Sequence, residues 1–529
     1  MINDLLSIII FLPLLAAIGL LFIAKENVHV FRWIAAGVTG IQLFLALVLW
    51  VNFDESRMPE TWMDSFQFVT KSSWIRLNLE GIGVLNVDYF IGLDGISLPM
   101  IVLSSFILLI GVISSWTITK KVKGFYALYL TLGASVIGCF AALDFFLFYL
   151  FFEFMLLPMF FLIGIWGGKR RQYASVKFFI YTLIGSLFIL VVMVALFLSV
   201  EENGSNTFSL VRMMNAEGFS NNAFLSLESG NLIGGISVRT WAFWLLVIGF
   251  LIKLPAVPVH TWLPDAHVEA PTSISVILAG LLLKIGGYGL FRIAFPIFPE
   301  QALAFGMPIA VIGITAIIYG GFSAMAQTDL KRLVAYSSVS HMGFVLVGLG
   351  ALTVQGVSGG IFQMVSHGLL SPALFLLVGV LYDRTGDREI ANFNGLAGHL
   401  PKFTFFVGLF FFASLGLPGL SGFVGELLVL LGAFNSSVLS NWVGPISAIG
   451  ILISAAYFIW TIQRMFFGKY WIRKSEWNTQ MTDLSRREWL MLVPLALIVI
   501  ILGIFPSTVL GPIQQSLEFW VQQIIEVAP

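Results

Sequence analysis

The sequence predicts an all-α polytopic membrane protein of about 14 transmembrane helices, with two inverted five-helix repeats and broken helices 7 and 12. Three observations carry this. First, 58% of the 529 residues are hydrophobic and only 11% charged, with mean hydropathy +0.95. A water-soluble domain carries about 25% charged residues, so this chain cannot cover itself for water. Second, apolar runs of about 20 residues, each long enough to cross about 30 Å of hydrocarbon, recur from end to end. Alternating strand-length segments of a membrane barrel are missing, which leaves helices to satisfy the backbone inside lipid. Third, two of the runs are interrupted by proline in mid-span.

The spans fall at 5–23, 33–52, 97–117, 126–143, 146–166, 176–199, 241–262, 273–294, 306–326, 333–352, 358–381, 403–434, 444–464 and 489–511. The first has no basic leader or cleavage site and reads as a retained helix. Two long loops, 53–96 and 200–240, are rich in Asn, Ser, Gly and Glu and share one side. That side carries Arg57, Lys71, Arg76, Arg212, Arg239 and Arg292, while nearly all the rest of the 28 Lys and Arg lie on the other. The positive-inside rule puts the basic side in the cytoplasm and both termini outside, as in a multi-pass bacterial inner-membrane protein.

Span 7 contains LIKLPAVPVHTWLPDA with Pro255 and Pro258, and span 12 contains LGLPGLSGF around Pro418. A mid-helix proline deletes a backbone hydrogen bond, which lipid tolerates only where protein or a wet cavity repairs it. Each broken helix is the fourth of a five-helix unit, and five is odd, so the units have opposite topology. The chain thus divides into 1–125 (helices 1–3 with a long external loop), 126–294 (first repeat, helices 4–8), 306–464 (second, inverted repeat, helices 9–13) and 465–529 (loop and helix 14). The plainer alternative is that each proline only kinks its helix.

Four charged residues lie inside spans: Glu153, Lys253, Lys284 and Glu426. Each costs roughly 2.5–3.5 kcal/mol at the helix centre, so all four must face the bundle, a partner or water. A static ion pair locking helices together is the simplest use, but buried pairs stabilise weakly. Lysine also suits proton transfer, because desolvation lowers its proton affinity and a nearby carboxylate raises it. His260, His341 and His367 extend the set, since an imidazole titrates near neutrality and can accept at one nitrogen while donating from the other. A lone buried histidine is as often a core residue. His267 is expected to be structural or at the cytoplasmic mouth, and His29 and His399 to be plain loop residues.

No HxxxH or HExxH spacing indicates a metal site. Cys139 is the one cysteine, so neither an internal disulfide nor an iron–sulfur cluster can form within the chain. Phosphate-cradling glycine motifs are lacking and the net charge is zero, so cofactors and nucleic acid are not expected to bind here.

The strings FEFMLLPMFFLIGIWG, KLPAVPVHTWLPDAHVEAPTSISVILAGLLLKIGGYGLFR, AYSSVSHMGFV and SHGLLSPALFLLVG resemble the antiporter-like subunits of proton-pumping NADH:quinone oxidoreductase (respiratory complex I). Subunits of multisubunit cation/proton antiporters share them. The resemblance covers nearly the whole chain and is nearest to the subunit M, or chain-4, branch, which has glutamate on its twelfth helix where relatives have lysine; here that is Glu426. DYFIGLDGISLPM resembles the start of the family's third helix, and the long lateral helix of the largest sister subunit is missing. The resemblance implies that Glu153 and Lys253 form an ion pair and that Lys284 is the central proton carrier. It further implies that His341 and His367 relay or hydrate, and that Glu426 passes the proton toward the exit. It implies sister subunits on both sides, with FMN, iron–sulfur clusters, NADH and quinone in partner subunits. A gradient-driven antiporter subunit and a non-transporting scaffold are the competing expectations.

Overall fold

The computed structural model of the chain describes residues 4–79, 83–202, 204–220, 223–226 and 230–526. Eleven helices among them are long and apolar enough to cross a membrane. In chain order the main helices are α1 (Asp4–Leu20), α2 (Val28–Val51), α3 (Ser97–Thr117), α4 (Val122–Ala141), α5 (Phe145–Trp166) and α6 (Arg171–Phe197). They continue with α7 (Val238–Lys253), α8 (Trp262–Glu269), α9 (Thr272–Ile297), α10 (Pro299–Met325), α11 (Leu330–Ala351) and α12 (Val354–Thr385). The last are α13 (Pro401–Ser414), α14 (Ser421–Phe434), α15 (Val443–Phe466), α16 (Arg486–Ile504) and α17 (Ser507–Ile525).

Burial separates the helices into two populations. The apolar windows of α9 and α12 are 100% buried and that of α11 is 94%, whereas α2, α6, α10, α15 and α16 are buried over less than half. The outer helices turn leucine, isoleucine and phenylalanine outward, as a bilayer allows and water does not. The three inner helices are the ones that carry Lys284, His341 and His367.

Helices α10 and α11 approach through glycine. A Cβ added at Gly313 would come 2.7 Å from the Gly343 carbonyl oxygen, and one at Gly343 would come 2.5 Å from that of Gly313. Gly306 and Gly350 repeat the arrangement one heptad away, at 2.8 and 2.5 Å. Small residues let backbones touch where lipid offers no hydrophobic drive for association. Gly343→Val is therefore expected to lower stability by about 1–3 kcal/mol through overpacking. A reduced thermal midpoint of the detergent-extracted protein would register it, and an unchanged midpoint would deny the close approach.

Residues near the proline motifs are not helical throughout. After Lys253 the backbone leaves the helix until Trp262, and the Trp262 Nε1–H donates to the Ile252 carbonyl at 2.8 Å, stitching the gap. Between Ser414 and Ser421 the chain passes through Gly416 (φ +83°) and Gly419 (φ +89°), conformations that favour glycine.

Three segments differ from the sequence-based expectation. The loop 53–96 contains an antiparallel hairpin, β1 (Gln67–Leu79) with β2 (Gly83–Leu93), in register Ser73↔Asp88. The final span ends at Ile504 rather than 511, because Pro506 cannot extend it. A separate amphipathic helix, α17, follows. It buries Val509, Ile513, Leu517, Trp520 and Ile524 on one face, donates from Trp520 Nε1 to the Phe291 carbonyl (2.8 Å), and accepts from the Gly95 N–H at Ser516 Oγ (3.0 Å). Arg292, counted with the outer side at the edge of span 8, is 1% exposed inside α9.

Candidate functional site

Lys284 lies on α9 between two widened, π-helical turns, Leu278–Leu282 and Leu290–Ala294. Such turns disturb the regular ladder and concentrate at functional sites. The Lys284 Nζ is fully buried; it donates to the Ala279 carbonyl in the first widened turn and lies 2.7 Å from His367 Nδ1 on α12. A contact between two nitrogens needs one lone pair, so the pair can share one excess proton but not hold two.

The His367 ring centroid is 5.8 Å from that of His341 on α11. His341 Nδ1 lies 3.3 Å from Glu426 Oε1 on α14, and Gln363 Nε2 approaches the same nitrogen at 3.5 Å. Glu426 is 1% exposed. The glycine passage before α14 makes room for it: a Cβ at Gly416 would stand 2.8 Å from Glu426 Oε2. A cavity of about 10 Å³, lined by Ser337, His341, Gln363, His367, Ser371 and Glu426, lies among these groups. That is room for about one water molecule. His341 Nε2, His367 Nε2 and Glu426 Oε2 are buried with no protein hydrogen-bond partner. Four of the seven sequence-derived residues thus form one line, Lys284–His367–His341–Glu426, through which a proton can pass by side-chain contacts and one bridging water.

The other three stand apart from this line. Lys253 is 1% exposed at the end of α7, its Nζ is unpartnered, and it sits 4.6 Å over the Phe152 ring. Its expected partner Glu153, half-buried with Oε1 unpartnered, is within electrostatic reach but makes no ion pair with it. The cation rests on an aromatic face instead. Helix α7 nonetheless packs on the Lys284 helix, since a Cβ at Gly286 would come 2.7 Å from the Phe250 carbonyl oxygen. His260 is buried against Tyr319 and Tyr336, with ring centroids at 5.2 and 6.2 Å.

Two buried features escaped sequence reasoning. Arg292 Nη2 pairs with Asp94 Oδ1 at 2.5 Å, and Asp94 also accepts from Ser97 N (2.9 Å) and Ser97 Oγ (2.8 Å) at the start of α3. His267 is not a loop residue but part of α8, 0% exposed and stacked on Phe375 at 4.4 Å. The available signal for the first was an acidic residue opening one apolar run and a basic one closing another, with nothing local to link them. Among the described residues no group of three or more His, Cys, Asp or Glu could hold a metal ion.

Residues 142–454 match the family model for the NADH:quinone oxidoreductase/Mrp antiporter transmembrane region, and residues 38–139 that for the NADH-ubiquinone oxidoreductase chain 4 amino terminus. The chain is 41% identical to NADH-quinone oxidoreductase subunit M of Rhodobacter capsulatus, over 98% of this chain and 97% of that one. It is 37% identical to NADH-ubiquinone oxidoreductase chain 4 of Arabidopsis thaliana, over 98% and 97%. The fold is similar to a chain of respiratory complex I from Thermus thermophilus with bound NADH (TM-score 0.81, 28% identity, covering 99% and 100%). It is also similar to a chain of the Mrp complex from Dietzia sp. (TM-score 0.77, 20% identity, 99% and 99%), a likeness of fold alone.

Proposed function

Because this chain belongs to the NADH:quinone oxidoreductase/Mrp antiporter family of membrane subunits, we propose that it is the subunit M-type component of a proton-pumping NADH:quinone oxidoreductase. In this reading it moves protons through the buried line Lys284–His367–His341–Glu426. That contiguous line, on the innermost helices of a membrane protein, is the observation that carries the reading. The chain contributes proton translocation, and NADH, FMN, iron–sulfur clusters and quinone belong to partner subunits. Sister antiporter-like subunits flank it in the membrane arm.

The geometry supports the following residue roles. Lys284 holds a proton between the Ala279 carbonyl and His367. His367 and His341 accept at one ring nitrogen and release from the other. Glu426, as the carboxylate, takes the proton from His341 and becomes the neutral acid. Lys253 and Glu153 act from outside the line as an ion pair that closes and opens; an open arrangement, with Lys253 Nζ and Glu153 Oε1 unpartnered and Glu153 hydrogen-bonded to Tyr149, supports this. His260 acts beside them as a further relay group. The 14 spans, the inverted repeats 126–294 and 306–464, the broken helices 7 and 12, and the bacterial inner membrane with termini outside are part of the same reading. The pairing of α7 with α8, and of α13 with α14, as the halves of two interrupted spans supports it.

Gentle detergent extraction of the tagged protein from its native membrane tests the assignment. NADH oxidation by an artificial acceptor, with flavin and iron–sulfur absorbance, is expected to co-elute with it. An eluate of membrane subunits alone, without flavin, would instead make it part of a gradient-driven cation/proton antiporter.

A further inference from the structure

A cavity of about 580 Å³ opens at the end of α15, and none of the relay residues lines it. Trp460, Arg464, Phe467 and Trp471 form one wall, and Phe393 and Asn394, from the loop after α12, belong to the other. The two walls are tied together. Phe393–Asn394 pairs antiparallel with Trp471–Ile472, and the Arg473 N–H donates to the Asn392 carbonyl at 3.1 Å. The volume lies within the about 300–1,000 Å³ usual for small-molecule sites.

The charge around this cavity is one-sided. Between Trp460 and Lys474 the chain carries Arg464, Lys469, Arg473 and Lys474 and no acidic residue. Arg464 lies in the last turn of α15 with its guanidinium 4.8 Å over the Trp460 ring, and among the described residues no carboxylate stands within ion-pair distance of it. A basic run on a water-facing loop is usually just solvated. This one is set among Trp460, Phe467 and Trp471, each about half exposed. Exposed tryptophans at a span end mark the level where hydrocarbon meets headgroups. The length of α15 agrees, since 24 residues rise about 36 Å and carry the last turn past about 30 Å of hydrocarbon.

We propose that this pocket binds the headgroup phosphate of one anionic phospholipid, with Arg464 as its main donor. An uncompensated cationic wall selects an anion. The aromatic rim is continuous with the lipid-facing side of α15, where Leu452 and Ile459 are exposed, and it selects an anion that carries acyl chains. The planar guanidinium can give a phosphate two parallel N–H bonds, and no neighbouring carboxylate competes for them. A zwitterionic headgroup brings its own cation and suits the wall less well. The bound lipid fastens the loop that forms the second wall. That loop also reaches the helix of His341: Arg388 pairs with Asp329 at 3.2 Å, and the Ile390 N–H donates to the Thr328 carbonyl at 2.8 Å, just before α11 begins. Lipid composition therefore acts on the seating of α11 through one strap of chain. The site stands independently of the relay reading.

The test extracts the tagged protein with the partners it holds and places it in nanodiscs of phosphatidylcholine, with or without phosphatidylglycerol. Lipid retained after detergent washing is counted by mass spectrometry. The wild type is expected to keep one phosphatidylglycerol that Arg464→Gln loses, with retention weakened about tenfold, the worth of one charge-assisted hydrogen bond. Arg464→Lys keeps the charge without the fork and is expected to fall between them. Phosphatidylglycerol is expected to raise the thermal midpoint of the wild type and not that of Arg464→Gln. Equal retention by the two proteins overturns the site. If inorganic phosphate raises the midpoint as much as phosphatidylglycerol does, the ligand is a soluble anion and the lipid is overturned. Should Arg464→Gln fail to assemble, a photoreactive side chain at Gln463, which also lines the pocket, decides the matter with Arg464 in place. Crosslinking to phosphatidylglycerol supports the proposal, and crosslinking only to a neighbouring protein subunit overturns it.

Discussion

Replacing Lys284 by methionine is expected to stop proton pumping while the protein still assembles. The substitution keeps roughly the volume of the side chain and removes a cation from a fully buried position. His367 Nδ1 loses its partner, at a cost of about 1–3 kcal/mol, but the desolvation of the lysine disappears with it, so the net effect on stability is small. Function behaves otherwise. A transfer group in line contributes about 10²–10⁴ in rate, and Lys284 is the only group on its helix within hydrogen-bonding distance of His367. Pumping measured per assembled complex in sealed vesicles decides it. Retained pumping at normal assembly would mean that protons reach His367 by another path.

The largest effect on stability is expected about two turns further along the same helix. Asp94→Asn leaves Arg292, 1% exposed, without its charge partner. Orphaning one member of a buried pair costs about 3–5 kcal/mol. Asn keeps an acceptor for the Ser97 N–H, so the start of α3 is little disturbed. The double variant Asp94→Asn/Arg292→Met removes the orphan and is expected to recover most of the loss. A thermal midpoint for the single variant as high as that for the double would show that the pair contributes nothing specific.

The membrane class and the positions of charged residues within apolar runs were legible because each is written in a short stretch of sequence. Hydropathy finds a span, and a charge inside it stands out against an expensive solvent. What joins Lys284 to His367, or Asp94 to Arg292, is a contact between residues 83 and almost 200 positions apart, and one sequence holds no record of it. The hairpin was hidden because Lys71, Ser72 and Ser73 interrupt its apolar alternation. Helix α17 was written plainly, as Val509, Ile513, Leu517 and Trp520 at helical spacing, but a search for uniformly apolar runs passes over an amphipathic one. The Glu153–Lys253 pairing was expected from resemblance alone, and here the two make no ion pair. Family resemblance reports which residues can meet, and the structure catches them apart.

The glycine seam between α10 and α11 bears on how a signal could enter such a machine. His341 stands on a helix whose backbone is pressed against its neighbour at Gly306, Gly313, Gly343 and Gly350, so it cannot slide without separating two surfaces already in contact. Closely packed interiors resist gradual deformation. A subunit next door therefore has little to push against here. What it can change is the voltage at the imidazole, through the charge on Glu426 or Lys284 and the presence of a single water molecule. On the proposed function, the stretch from α10 to α12 is wiring held in a stiff frame, which news of distant chemistry would reach as a field.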